Sequence, residues 1–457
     1  MVYGGYSYIE ENYKPGRDEF VTVLWVKGRA PFRTLAEALA SESSVGTWTK
    51  LTTMNSFVWK NLRARIFRLK QVTRRSGFVF ISYPYEHFDS RNLLQILASI
   101  RGNIYGLKEL QECKLLDWKI PTKFQKQFPG PKVGLKEVRK RLGTKKRPHV
   151  GTIVKPKVGL SPREWGDVAA NAFLGGLDMV KDDENLVNQK FCPWKNRVLK
   201  VIDAAERVGE PKIYVPNISD FLPRMLDRID FLVEHGWRMA MIDVYVMGPV
   251  GLREVLKELH RKRFLVHAHR AGHGAETRGR WGVGFAFWEK LYRLLGVSQL
   301  HTGTGVGKME GSALEIKKYG EIARERRVDA MEPFFLEFRW APHVKPMMPV
   351  ASGGNHPGLM EGLMEIYGPD VTVMAGGGVH GHPGGTMAGA RALRAAAEAV
   401  AEGKSLKEKA GEVPELKAAL KKWGYLPGKE TRKELRTAAS RFRKKAWTGP
   451  ELDKVVG

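Results

Sequence analysis

Apolar and polar positions follow two different rhythms along this chain. Over the first 140 residues the pattern is mixed α/β. Phe20-Val21-Thr22-Val23-Leu24-Trp25-Val26 and Gly77-Phe78-Val79-Phe80-Ile81-Ser82-Tyr83 have strand composition, while 31–41 and 92–102 have helical spacing. From 121 to 148 the chain turns rich in proline and lysine, which is loop or linker composition, so a domain boundary is expected near 148. Beyond it, short apolar runs alternate regularly with longer amphipathic segments. Eight strands are predicted, at 150–157, 176–181, 212–216, 239–246, 264–269, 299–304, 348–352 and 371–376. Helical spacing fills the intervals, as in Phe221, Leu222, Met225, Leu226, Ile229 and Leu232. The first of these helices has a full start signal: Ser161 as N-cap, Pro162 after it, Glu164 three residues on. Eight such units predict a parallel (β/α)8 barrel over 149–457, preceded by a smaller domain over 1–148.

Barrels of this kind carry their active sites at the C-terminal ends of the strands. Six of the predicted ends are crowded with polar residues and glycine. They are Lys155-Pro156-Lys157, Lys181-Asp182-Asp183-Glu184-Asn185, His267-Ala268-His269-Arg270-Ala271-Gly272-His273, His301 through Gly307-Lys308, Ser352-Gly353-Gly354 and Gly376-Gly377-Gly378. Each alone has a plain structural explanation, whether a solvated acidic loop, a tight glycine turn or a core histidine. Six on one face of one barrel point to a site.

Composition narrows the class. A chain of 457 residues with 43% hydrophobic and 27% charged residues is an ordinary globular protein, long enough to bury its core without staples. Two cysteines, Cys113 and Cys192, exclude a disulfide framework and a cysteine-based zinc site. No run of about 18 apolar residues is present, so no membrane span is expected. The first residues lack a basic segment followed by an apolar core, so a cytoplasmic location is expected. The net charge of +27 would attract polyanions. The basic residues are spread over 60–75, 119–147 and 404–445, without zinc-finger spacing, and read as a solvated surface rather than a specific nucleic-acid interface. Abundant Lys, Arg and Glu with few Gln fits a heat-adapted source.

The strand ends suggest specific chemistry. Asp183 and Glu184 offer hard oxygen ligands suited to Mg²⁺. Lys181, near Lys155, is a candidate for a depressed pKa, and a neutral amine reacts with CO₂ to give a carbamate, itself an anionic ligand. The glycine runs at strands seven and eight suit phosphate, because glycine lets backbone N–H groups approach an anion. Arg270 offers a planar fork for phosphate, and His269 and His301 offer acid, base or donor groups. His267 falls on the same side of its strand as His269, one layer deeper, and reads as core. Lys308 sits on a glycine-hinged loop of the kind that closes over substrates.

On these residues the chain resembles the large subunit of ribulose-1,5-bisphosphate carboxylase/oxygenase (Rubisco), from about residue 8 to about residue 420. The segment Gly175-Gly176-Leu177-Asp178-Met179-Val180-Lys181-Asp182-Asp183-Glu184-Asn185 looks like the Rubisco activation signature. The resemblance implies an α/β fold, with an N-terminal ferredoxin-like α+β domain ahead of the barrel. It implies carboxylation, and competing oxygenation, of ribulose 1,5-bisphosphate through a Mg²⁺-bound enediol. Lys181 would carry the carbamate and bind Mg²⁺ with Asp183 and Glu184. Lys155 would protonate the final carbanion with Lys157 beside it, and His269 would help hydrate the ketone intermediate. Lys308 would hold the incoming carboxylate, braced by Glu42 of a second subunit. Arg270, His273 and His301 would grip one phosphate; Gly354, Gly376 and Gly377, with Gly353 beside them, would grip the other together with a second subunit's Thr47 and Trp48. Ser352 would touch the sugar, and Asn103 would reach in from a second subunit. A homodimer is therefore the minimum unit expected, with no small subunit.

Ile153, Gly272, Gly305 and Gly384 depart from common residues of the family, at packing and loop positions rather than at the lysines or metal ligands. The chain is most similar to the archaeal form III group, which is associated with AMP salvage. A Rubisco-like enolase or isomerase of sulfur salvage is the alternative within the resemblance. A non-catalytic basic module binding nucleic acid is the alternative outside it.

Overall fold

The computed structural model describes residues 5–307 and 310–443. Lys308 therefore lies outside the described residues, as does the end of the basic C-terminal segment.

The N-terminal sheet contains strands β1 (Phe20–Gly28), β2 (Arg65–Thr73), β3 (Ser76–Tyr83) and β4 (Leu110–Lys119) in antiparallel pairing. The two helices expected there are found at Phe32–Glu42 and Leu93–Arg101. Strands β2 and β4 are not predicted by the pattern. In β2, arginine and lysine interrupt the apolar alternation, because Arg68 and Lys70 lie near Glu332 of the barrel at 2.8 and 3.3 Å. The sheet is not a closed unit. Trp281–Val283, on a loop of the barrel domain, adds an edge strand parallel to β4.

The barrel has eight parallel strands. They are β5 (His149–Ile153), β6 (Met179–Lys181), β7 (Ile213–Val215), β8 (Met239–Asp243), β9 (Leu265–His269), β11 (Gln299–His301), β14 (Met348–Ser352) and β15 (Thr372–Met374), with β10 being the edge strand Trp281–Val283. The remaining short strands, β12 (Arg327–Val328) and β13 (Phe338–Arg339), form a separate ribbon. All eight predicted barrel strands are present, several shorter at their C-terminal ends because the chain leaves the sheet to form the site. Hydrogen-bonded order runs β7-β6-β5-β15-β14-β11-β9-β8. The ring closes just past β7, where Ile218 N–H reaches Met241 O and Met241 N–H reaches Pro216 O. The helix Pro162–Leu174 starts on the expected Ser161–Glu164 capping box.

Side chains alternate along a strand, so residues two apart share a face. Met179, Ile213, Val215, Met241, Leu265, Met348, Val350 and Met374 form one buried cluster, distinct from the core under the outer helices. The N-terminal mouth is filled by Leu135 and Val138, from the helix Leu135–Arg141, with Val133 and Leu142. Burying each of these side chains stabilises by about 1.5–3 kcal/mol. That plug leaves the opposite mouth open, and the same alternation carries Lys181, Asp243, His269 and Ser352 to it, each two residues beyond a member of the cluster or of the layer above.

At the C-terminal end, the helix Gly428–Arg443 lies on the helix Met360–Tyr367 through buried Thr431 and Leu435, with Arg432 paired to Glu365. Its remaining described cations face outward. Both cysteines are buried and free. No helix among the described residues is long and apolar enough to cross a membrane.

Candidate active site

A cavity of about 1120 Å³ opens at the C-terminal mouth. It is lined by Lys155, Lys181, Asp183, Glu184, His269, Arg270, His273, His301, Ser352, Gly353, Gly354, Gly376 and Gly377 among others. These are thirteen of the residues singled out in the sequence, carried by six different strand ends. A sugar bisphosphate fits a volume of this order.

Lys181 ends β6 and is fully buried; its Nζ donates to Asp182 O at 2.7 Å. Burial lowers its pKa, opposed by Glu184, Asp183, Asp243 and Asp182. The cause expected from sequence, a neighbouring Lys155, is replaced by desolvation. Lys155 instead donates to Asp183 Oδ2 at 2.6 Å. Burial pushes the Asp183 carboxyl up, but hydrogen bonds from Lys155 and Asn185 outweigh it and hold the group well below the usual carboxylate range. His269 Nδ1 lies 3.1 Å from Asp243 Oδ1 and 3.3 Å from the Ala271 N–H, and Nε2 faces Glu184 Oε2 at 3.5 Å.

The acidic turn is braced from beneath. Asp182 is completely buried, paired with equally buried Arg197 at 2.9 Å, and it also accepts from Tyr214 Oη at 2.9 Å and Asn217 N–H at 3.0 Å. Arg197 further donates to Cys192 O and Val187 O, pinning the loop that follows Glu184.

One wall can grip an anion through Arg270 and His273. The Arg270 guanidinium sits 4.0 Å over the Phe285 ring. Gly303, at φ +104°, leaves it room, since a Cβ there would stand 3.3 Å from Arg270 Nη2. His273 Nδ1 contacts Thr277 Oγ1 at 2.7 Å. His301 is buried and kept neutral by burial; its Nε2 meets His267 Nε2 at 2.8 Å, which places His267 beneath the site as expected. The segment 276–281 is clamped to the N-terminal domain by Lys114. Its Nζ donates to the carbonyls of Glu276, Thr277, Arg278 and Trp281 at 2.7–3.4 Å, while Arg101 pairs with the Glu276 carboxylate at 2.6 Å. The facing wall is glycine. Gly353 and Gly354 have φ of +118° and +75°, and a Cβ on Gly376 would stand 3.1 Å from Lys155 Cε.

Other expected residues are not brought into this cavity. Lys157 is exposed, two residues beyond Lys155. Glu42 ends the helix Phe32–Glu42, with Thr47 and the 74% exposed Trp48 beyond it, and exposed Asn103 begins a short turn. None of the four lines the cavity of its own chain. The sequence reading missed Asp243, Lys114, Glu276 and Arg197. Asp243 was legible, two residues past Met241 on a predicted strand; the others act across long sequence separations.

Two carboxylates, an adjacent buried amine and open space suit Mg²⁺, which takes few protein carboxylates and keeps sites for water and substrate oxygens. Among the described residues, no group of three or more His, Cys, Asp or Glu is placed to hold a metal ion.

Fold and site together define a (β/α)8-barrel enzyme whose cavity opens at the C-terminal mouth of the barrel. The chain matches the ribulose bisphosphate carboxylase large chain catalytic domain over residues 134–423 and the N-terminal domain of the same large chain over 7–124. It is 44% identical to a ribulose bisphosphate carboxylase of Methanocaldococcus jannaschii over 427 residues, covering 91% of this chain and 100% of that protein. The dimeric archaeal Rubisco of Hyperthermus butylicus superposes with a TM-score of 0.85 at 38% identity, covering 92% of this chain and 99% of that one. The octameric Rubisco of Pyrococcus horikoshii, in complex with sulfate, gives 0.82 at 37% identity, covering 91% and 96%. The chain belongs to the Rubisco large-chain family, of the archaeal type.

Proposed function

We propose that this protein carboxylates ribulose 1,5-bisphosphate to two molecules of 3-phosphoglycerate. The observation that carries the reading is Lys181, a buried amine whose pKa burial lowers, set beside Asp183 and Glu184 between two anion-binding walls. Carbamylation needs a neutral amine, and burial favours one. Lys181 so modified, Asp183 and Glu184 would hold Mg²⁺. The ion would supply a Lewis acid that polarises the substrate's oxygens.

The chain's own residues divide the remaining work. Arg270 and His273, with His301, grip one phosphate; Gly354, Gly376 and Gly377, with Gly353 beside them, grip the other, with Ser352 against the sugar. Modified Lys181 takes the C3 proton to give the enediol. CO₂ adds at C2, and His269, oriented by Asp243, helps deliver water to C3. After cleavage between C2 and C3, Lys155 protonates the C2 carbanion. Lys157 supports proton traffic outside it, and Lys308 holds the new carboxylate. O₂ competes for the same enediol. Glu42, Thr47, Trp48 and Asn103, exposed or remote in their own chain, complete a second subunit's site, so the working unit is a homodimer at least. Dimeric and octameric relatives support that assembly. Consumption of ribose derived from AMP, or CO₂ fixation, is the metabolic role proposed.

The test is fixation of labelled bicarbonate with ribulose 1,5-bisphosphate and Mg²⁺, run warm. Acid-stable label in 3-phosphoglycerate is expected, and Lys181→Ala should abolish both CO₂-dependent activation and turnover. C3 proton exchange without label would instead identify an enolase-type relative, and turnover retained in Lys181→Ala would refute the carbamate assignment.

A further inference from the structure

His380 has no role in the scheme above, yet it joins two of its parts. It ends the short helix Gly377–His380, whose first residues form the glycine wall. Its Nε2 lies 2.8 Å from Thr152 Oγ1 and 3.1 Å from Ile153 O. A carbonyl oxygen only accepts, so Nε2 carries the proton. Thr152 Oγ1 spends its own proton on Ala375 O at 2.8 Å and therefore accepts from His380. On the far side of the ring, Nδ1 accepts from Thr386 Oγ1 at 3.0 Å. Every polar atom of the imidazole is used, and the ring is neutral. Lys155 weighs against its protonation, after burial.

The bonded strand matters. Thr152 and Ile153 are the last residues of β5, and Val154 alone separates them from Lys155. Ile153 is itself one of the departures noted in the sequence, an aliphatic side chain lining the cavity with no polar group of its own. The Lys155 stem passes Gly376 so closely that a Cβ there would stand 3.1 Å from its Cε. The β5–β15 ladder and the Thr152–Ala375 bond tie the strand end to the residues before the glycine helix, and the His380 imidazole extends that tie from the helix's last residue to Thr152 and Ile153.

We propose that His380 is a positioning residue that fixes Lys155 relative to the glycine wall, so that the final proton reaches C2 before the carbanion decomposes. This rests on the carboxylase reading. The chemistry provides an internal clock. The C2 carbanion of the nascent product either takes a proton to give 3-phosphoglycerate or expels the phosphate from the adjacent carbon, C1 of the substrate, giving enolpyruvate and then pyruvate. Carbon and phosphorus balance in both branches, and only the first needs the Lys155 proton.

The experiment compares wild type, His380→Leu, His380→Gln and Thr386→Val for the pyruvate to 3-phosphoglycerate ratio and for C3 proton exchange. His380→Leu should raise the pyruvate fraction about fivefold, one net hydrogen bond's worth of misplacement, with proton exchange within about twofold of wild type. His380→Gln, which keeps a donor, should restore most of the partition, and Thr386→Val should shift it in the same direction as Leu but less. An unchanged partition in active His380→Leu overturns the proposal, as does equal loss of exchange and carboxylation with an unchanged ratio. If His380→Leu does not fold, an unchanged ratio in Thr386→Val overturns it. Failure of wild type to fix label overturns the carboxylase reading as well, which separates the two failures.

Discussion

Replacing Arg197 with methionine removes the cation from beneath the acidic turn while keeping most of the side chain's volume. Arg197 and Asp182 are both fully buried and paired at 2.9 Å. Removing one partner of a buried, hydrogen-bonded ion pair costs about 3–5 kcal/mol, because the other charge is stranded. Asp182 keeps Tyr214 and Asn217 as donors, which favours the lower end of that range. Two carbonyls, Cys192 O and Val187 O, lose their donor, adding about 1 kcal/mol each if water does not reach them. The expected total is about 4–5 kcal/mol, a fall in thermal midpoint of roughly 4–8 °C for a chain of this length. Calorimetry or circular dichroism on Arg197→Met, Asp182→Asn and the double variant measures it. The double variant should recover much of the loss, because no unpaired charge remains. The Mg²⁺ concentration needed for half-activation should rise in the single variant, since Asp183 and Glu184 ride on the loosened loop. A single variant within about 1 kcal/mol of wild type, or a double variant worse than the single, would refute the argument.

Three further outcomes are expected. Lys308→Ala should spare C3 proton exchange and lose carboxylation; parallel loss of both in single-turnover assays would count against its assigned role. Lys114→Met removes the ammonium from four carbonyls and frees 276–281, so the KM for ribulose 1,5-bisphosphate should rise about tenfold with kcat less affected; steady-state kinetics showing an unchanged KM would dispose of the clamp. Burial pushes the His149 and His380 imidazoles from 6.5 down to about 4. The unfolded chain therefore binds protons first as pH falls, and stability is lost between about pH 6.5 and 4, by about 3 kcal/mol per group. His149→Gln should flatten the slope of unfolding free energy against pH by about one proton in that window, and an unaltered slope would show that His149 titrates normally.

The alternation of eight short apolar runs with amphipathic helical segments determined the barrel, because each strand buries one face in the central cluster and the other under helices. The C-terminal ends of those runs placed Lys181, His269 and Ser352 at one mouth, and the Ser161–Glu164 box was legible as a purely local signal. Strands β2 and β4 were not legible. Their charged residues find partners far away, as Arg68 and Lys70 do with Glu332, and local pattern cannot register a partner 260 residues off. The nearness of two strand ends also misled: burial, rather than Lys155, lowers the Lys181 pKa, and Lys155 spends its charge on Asp183. Tertiary structure alone decided the braces, Arg197 under the acidic turn, Lys114 in its carbonyl cage and His380 between β5 and the glycine helix. Each is a polar group that burial compels to find partners, and only the folded chain determines which partners are within reach.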